Sequence, residues 1–222
     1  MKEVTGLLVM DVDGTLIRQE GIDLLAQEAG VGEKVAEITS QAMNGELDFS
    51  ASLEARVALL KGLETSIFPK ILEQIEVTPG AESLITELHQ RGYKVGLVSG
   101  GFHEVIDPIA RSLGIDLVRA NRLQTFDGRL TGKVLGEIVT PERKKDSLLT
   151  WARENHIQRS QTIAMGDGAN DLPMIETAGI GIAFMAKPIV AERAPYRIET
   201  SDLSLVLEIL DQHRKETGCI SY

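Results

Sequence analysis

A short apolar run, Gly6-Leu7-Leu8-Val9-Met10, ends abruptly in Asp11-Val12-Asp13-Gly14-Thr15, and no other stretch constrains the fold so tightly. A run this brief and uniformly apolar marks a strand buried on both faces of a parallel sheet. In open α/β sheets ligands collect beyond the carboxyl ends of the strands, and that is where the two acids fall. Residues two apart in an extended segment point to one side, so Asp11 and Asp13 can address one metal ion and one phosphate together. Gly14 lets the chain turn sharply after them.

Residues 94–98, 162–165 and 180–184 read as further buried strands, with amphipathic helices between them. Thr78-Pro79-Gly80 opens one helix with proline near its first position, Leu84, Ile85 and Leu88 inward, and Gly92 at its end. A second helix runs from about Phe102 to Leu113 and stops at Gly114. A third starts at Thr140-Pro141-Glu142 and turns Leu148, Leu149 and Ala152 inward. This alternation predicts a doubly wound α/β fold with a mainly parallel sheet. Residues 17–75 differ: Leu24, Leu25, Ala29, Val31, Val35, Ile38 and Ala42 recur at helical spacing, and no strand is evident. The expected organisation is a core of residues 1–16 and 76–222, with residues 17–75 inserted as a helical cap over the carboxyl edge. Asp127-Gly128, between alternating segments, predicts a β-hairpin flap.

A chain of 222 residues holds one α/β domain with a modest insertion. Its net charge of −10 argues against a nucleic-acid surface; Arg143-Lys144-Lys145 is the one basic cluster. The single cysteine, Cys219, allows neither an intrachain disulfide nor a cysteine zinc site and suits a reducing, cytoplasmic setting. No run approaches a membrane span. The first strand starts close to Met1, so no N-terminal regulatory domain is expected, and a monomer or weak homodimer is.

Two more strand ends carry chemistry. Val98-Ser99-Gly100-Gly101 offers a hydroxyl and freely approached backbone N–H groups ahead of a helix, an arrangement suited to phosphate oxygens. Gly166-Asp167-Gly168-Ala169-Asn170-Asp171 places oxygen ligands on a tight loop, suited to a hard cation such as Mg2+. Each alone is an ordinary strand-to-helix turn. Three such ends in one sheet point to phosphate and metal chemistry.

Together these segments closely resemble the haloacid dehalogenase superfamily of phosphotransferases, and within it the members acting on O-phosphoserine. Asp11-Val-Asp13-Gly-Thr15 is similar to the superfamily's first motif, Ser99-Gly100 to its second, and Gly166-Asp167-Gly-Ala-Asn170-Asp171 to its fourth. The third motif is a lysine at the start of the preceding helix, where Lys144 fits best and Lys145 is the substitute. The resemblance implies that Asp11 is phosphorylated, that Asp13 first donates and then accepts a proton, and that Ser99 and Lys144 hold the transferring group. It implies Mg2+ on Asp11, Asp167 and the main-chain carbonyl of Asp13, with Asp171 supporting the metal's water shell and Asn170 touching substrate. In the cap it implies Glu20 on the substrate ammonium, Arg56 on its carboxylate, and Met43 and Phe49 lining the closed pocket, with Gly100 completing the phosphate site. The implied reaction is hydrolysis of phosphoserine, the last step of serine biosynthesis.

Other functions stay open at this point. Phosphoryl transfer to an acceptor such as homoserine needs the same residues. A sugar-phosphate mutase would not need a carboxylate-binding arginine. An ion-pumping ATPase would need membrane spans. A silent phosphate-binding module would not need every catalytic group. The sequence does not choose between L- and D-phosphoserine.

Overall fold

Strand β1 (Gly6–Met10) is buried at every position in the computed structural model, which describes residues 4–43 and 46–216. Its alternate side chains enter two different cores: Leu8 and Met10 join one cluster, Leu7 and Val9 the other. A strand covered on both faces is the reason the run is apolar throughout. Around it lies a parallel sheet of order β3-β2-β1-β6-β7-β8, completed by β2 (Tyr93–Phe102), β3 (Leu117–Asn121), β6 (Thr162–Gly166), β7 (Ile180–Phe184) and β8 (Tyr196–Ile198). The first cluster takes Leu84, Ile85 and Leu88 of α5 (Ala81–Gln90), Val105 and Ile109 of α6 (His103–Leu113), and Val206 and Leu210 of α10 (Val206–Glu216). The second takes Leu148 and Trp151 of α7 (Pro141–Glu154), Met174 and Ile175 of α8 (Leu172–Thr177), and Val190 of α9 (Pro188–Arg193). The expected doubly wound architecture is therefore present.

The chain leaves β1 toward β2 on one side and returns through β6 to the other, so the connections diverge at the β1/β6 seam. That divergence opens a crevice at the carboxyl edge. Between β1 and α5 lie α1 (Gly21–Glu28), α2 (Gly32–Met43), α3 (Phe49–Ala58) and α4 (Phe68–Glu73). The segments entering and leaving this helical insertion run side by side: Arg18 N–H donates to Glu76 O at 3.0 Å and Thr78 N–H to Leu16 O at 2.9 Å. Strands β4 (Leu123–Phe126) and β5 (Arg129–Val134) form the hairpin, turning through Asp127 and Gly128 with φ of 48° and 70°. The hairpin pairs with the insertion, Gly62 N–H donating to Leu130 O at 2.8 Å and Leu130 N–H to Leu63 O at 2.9 Å.

Four local expectations need correction. Pro79 is not in the first turn of α5; the helix begins at Ala81 with Gly80 as its left-handed N-cap, φ 80°. Leu149 faces outward at 40 % exposure, because α7 turns Leu148, Trp151 and Ala152 inward instead. Strand β2 does not end at residue 98 but continues through the two glycines to Phe102, its pairing with β3 slipping between Val98 and Phe102. Strands β3 and β8, at the sheet edges, were not anticipated; their mixed burial lacks the apolar run that marks a central strand. No helix among the described residues is long and apolar enough to cross a membrane.

A Cβ on Gly80 would lie 2.1 Å from Asp202 Oδ1 and 2.5 Å from Ser204 N, in a backbone conformation unfavourable to L-residues. Gly80→Ala is expected to lower unfolding stability by at least about 1–2 kcal/mol in urea titration. An unchanged midpoint would contradict this packing.

Candidate active site

Parallel pairing continues one residue past β1, with Asp11 N–H donating to Met165 O at 3.0 Å, which seats Asp11 at the seam beside the end of β6. One of its oxygens, Oδ1, accepts from Val12 N–H at 2.7 Å and lies 2.9 Å from Lys144 Nζ. Neither contact uses Oδ2. Lys144, in the first turn of α7, is wholly buried and also donates to Asp171 Oδ1 at 2.7 Å. Lys145 takes no part in this cluster among the described ion pairs. Asp171 Oδ2 in turn accepts from Gly168 N–H at 3.1 Å. A Cβ on Gly166 would fall 2.3 Å from the Asp171 carboxyl, so that approach requires glycine.

Asp13 turns toward the insertion. Its Oδ1 accepts from Gly21 N–H at 2.7 Å, at the start of α1, and its Oδ2 from Ser99 Oγ at 3.0 Å. Ser99 Oγ itself accepts from Gly101 N–H at 2.7 Å. Any side chain on Gly101 would meet Asp13 Oδ2 at 2.6 Å. The Ser99-Gly100-Gly101 segment is therefore a bulged strand end rather than a helix N-terminus, since α6 begins only at His103.

These groups border one cavity of about 720 Å3. Asp11, Asp13, Gly100, Asp167 and Asn170 line its floor, while Glu20, Phe49 and Arg56 come from the insertion. Ser99 and Lys144 lie beneath the floor, fully buried. Phe49 packs over the strand end at Gly100: a Cβ there would be 3.3 Å from its Cζ. Met43 ends α2, and its side chain lies outside the described residues, as does Cys219. Two further charged lining residues escaped the sequence reading. Lys187 sits in the loop after β7, on the same carboxyl edge, and its N–H donates to Asp167 O at 3.0 Å; Asp23 lies in the first turn of α1. Lys187 could have been found from its place after a buried strand. Asp23 had no such signal.

Negative charge is crowded here. Burial, then the charge of Asp171, hold the Asp11 carboxyl well above the usual range, against the opposing pull of Lys144. Burial likewise raises Asp13, although the Gly21 and Ser99 hydrogen bonds and Lys144 oppose it. Asp167 is pushed up to about 6 by burial and then Asp171. Glu20, at the open mouth, is raised to about 7 by desolvation of its carboxyl and then by Asp13, Asp167 and Asp23. Burial acts to lower Lys144, and the Asp11 and Asp171 carboxylates outweigh it, holding the ammonium charged. Asp11, Asp167 and Asp171 each bring an oxygen within 4.8 Å of the others, a hard all-oxygen set able to hold a metal ion and relieve this repulsion.

The model of haloacid dehalogenase-like hydrolases matches residues 8–176, and the chain belongs to that family. It is 63 % identical over 212 residues to a phosphoserine phosphatase of Streptococcus thermophilus, spanning 96 % of this chain and 99 % of that one. With a phosphoserine phosphatase of Lactococcus lactis it shares 56 % identity, covering 93 % and 96 % of the two chains. A solved structure described as a phospho-aspartyl intermediate analogue of phosphoserine phosphatase superposes with a TM-score of 0.87 at 45 % identity, over 92 % of this chain and 98 % of that one.

With Asp167 near 6 and Glu20 near 7, the metal-free folded chain keeps protons that unfolded carboxylates lose near pH 4. It thus binds more protons than the unfolded chain up to about pH 7, and stability falls as pH rises through that window. In EDTA, the Tm is expected to be higher at pH 6 than at pH 8, and saturating Mg2+ is expected to stabilise most at pH 8. A Tm in EDTA that rises between those pH values would contradict the charge crowding.

Proposed function

We propose that the protein hydrolyses O-phosphoserine to serine and inorganic phosphate through an aspartyl-phosphate on Asp11. The observation that carries this reading is that one cavity joins Asp11, Asp13 and Asp167 at the sheet edge to Glu20 and Arg56 of the insertion. The floor suits any phosphomonoester. The wall suits an amino acid, one acid for its ammonium and one planar guanidinium for its carboxylate. Two relatives aligned over nearly their full length and named phosphoserine phosphatase support the same substrate.

In this reading Asp11 Oδ2, the oxygen not engaged by Val12 and Lys144, attacks phosphorus as the bond to the serine oxygen breaks. Asp13, raised by burial, carries the proton that the departing serine oxygen receives. Having lost it, Asp13 takes a proton from the water that cleaves the aspartyl-phosphate. Lys144 and Ser99 offset and orient the charge of the transferring group. A Mg2+ ion held by Asp11, Asp167 and the main-chain carbonyl of Asp13, with Asp171 behind it, would supply neutralisation between an anionic nucleophile and a dianionic phosphate. Residues 17–75 act as the cap that excludes water and selects substrate, with Phe49 as apolar wall and Asn170 and Gly100 against the substrate. A net charge of −10 disfavours nucleic acid, and phosphoserine, a small molecule, is the proposed partner.

Asp11→Asn preserves size but removes the nucleophile, and is expected to lower kcat for phosphoserine by at least roughly a thousandfold. Substantial retained turnover in a phosphate-release assay would sink the assignment. Arg56→Ala is expected to raise KM for phosphoserine by about tenfold to a hundredfold, and to spare p-nitrophenyl phosphate, which has no carboxylate. Equal losses on both substrates would argue against carboxylate recognition by the cap.

A further inference from the structure

Among the described residues two buried side-chain oxygens lack a hydrogen-bond partner, Thr15 Oγ1 and Ser52 Oγ, and of these only Ser52 lines the cavity. An unpartnered buried hydroxyl costs free energy, so its persistence needs an explanation. Other helical hydroxyls in this protein satisfy themselves on a carbonyl three or four residues back: Thr39 on Val35 O at 3.0 Å, Ser147 on Arg143 O at 2.6 Å, Thr177 on Pro173 O at 2.6 Å and Ser112 on Ile109 O at 2.8 Å. Ser52, at 2 % exposure in α3, does not. Its carbonyl instead accepts from Arg56 Nε at 3.2 Å. That contact draws the guanidinium back over the turn bearing Ser52 and leaves both terminal NH2 groups for a ligand. A carboxylate taken by Arg56 at the cavity wall therefore arrives beside an unused hydroxyl donor.

We propose that Ser52 is a substrate-binding residue, its hydroxyl donating to the carboxylate that Arg56 holds, so that one turn of α3 reads the amino-acid end of the substrate. The assignment rests on phosphoserine being the substrate. It separates carboxylate-bearing phosphomonoesters from phosphorylated amines and aryl phosphates, because only the former satisfy Ser52. Alanine at this position fits the same space, favours the helix and removes an unsatisfied group, so Ser52→Ala folds as well as the native chain.

The test compares native protein and Ser52→Ala on O-phosphoserine and on p-nitrophenyl phosphate, with Tm measured alongside. The expected result is a KM for phosphoserine raised roughly tenfold or more, kcat little altered, kinetics on the aryl phosphate within about twofold, and an unlowered Tm. If native protein hydrolyses phosphoserine and Ser52→Ala does so with unchanged KM, the hydroxyl merely tolerates burial and the assignment falls alone. Equal losses on both substrates also overturn it. If native protein turns over the aryl phosphate but leaves phosphoserine intact, the reading of function falls, and the role of Ser52 with it.

Discussion

A fully buried ammonium group, Lys144 Nζ, stands 2.9 Å from Asp11 and 2.7 Å from Asp171, and the geometry of the cavity floor depends on it. Carboxylates brought this close beneath a sheet edge repel one another and lose hydration. One cation shared between two of them offsets both effects without water. It also selects between the oxygens of Asp11, sharing Oδ1 with Val12 N–H and leaving Oδ2 without either contact. Nothing in the composition of an acidic chain requires a lysine in this place. The first turn of α7, capped by Thr140 and entered through Pro141, delivers it there.

The remaining acids are distributed by topology. Asp11 and Asp167 follow β1 and β6, the adjacent strands whose connections diverge, and so meet across the crevice that divergence leaves. Asp13 is two residues on, far enough to accept from the first N–H of α1. One short loop thereby couples the sheet edge to the helical insertion. Paired segments around Arg18 and Glu76, together with the hairpin strand at Leu130, fasten that insertion above the crevice. The cavity is thus walled by two parts of the chain that main-chain hydrogen bonds and a shared apolar cluster hold together.

The cavity shows a division of polarity. Its floor concentrates acids whose protons are held above their usual range, while Arg56 and Lys187 supply positive charge along the wall. An anionic group can settle on that floor only with a cation between it and the acids, whereas the Arg56 guanidinium suits a carboxylate directly. Glu20 is raised by burial and then by its acidic neighbours, and any cation held beside it would favour its charged form.

Local rules made much of this legible. The apolar run of β1, the Thr140-Pro141 helix start, the Gly114 stop and the Asp127-Gly128 turn each declare themselves within a few residues, because capping, left-handed conformations and strand burial are short-range constraints. Motif residues at three strand ends could be singled out because every strand of a parallel sheet ends on the same edge. Where the local rule failed, tertiary contact prevailed: Gly80 displaced Pro79 as the start of α5 to make room for Asp202, and the glycines after Ser99 stayed in the strand. The turning of Leu149 outward, the entry of Lys187 and Asp23 into the cavity and the isolation of the Ser52 hydroxyl belong to the assembled chain. Sequence by itself determined the central strands, the helices that punctuate them and the chemistry at the strand ends, since those follow from neighbours along the chain. Only the tertiary structure decided which side chains face one another across the cavity, since that depends on packing between segments far apart in the sequence.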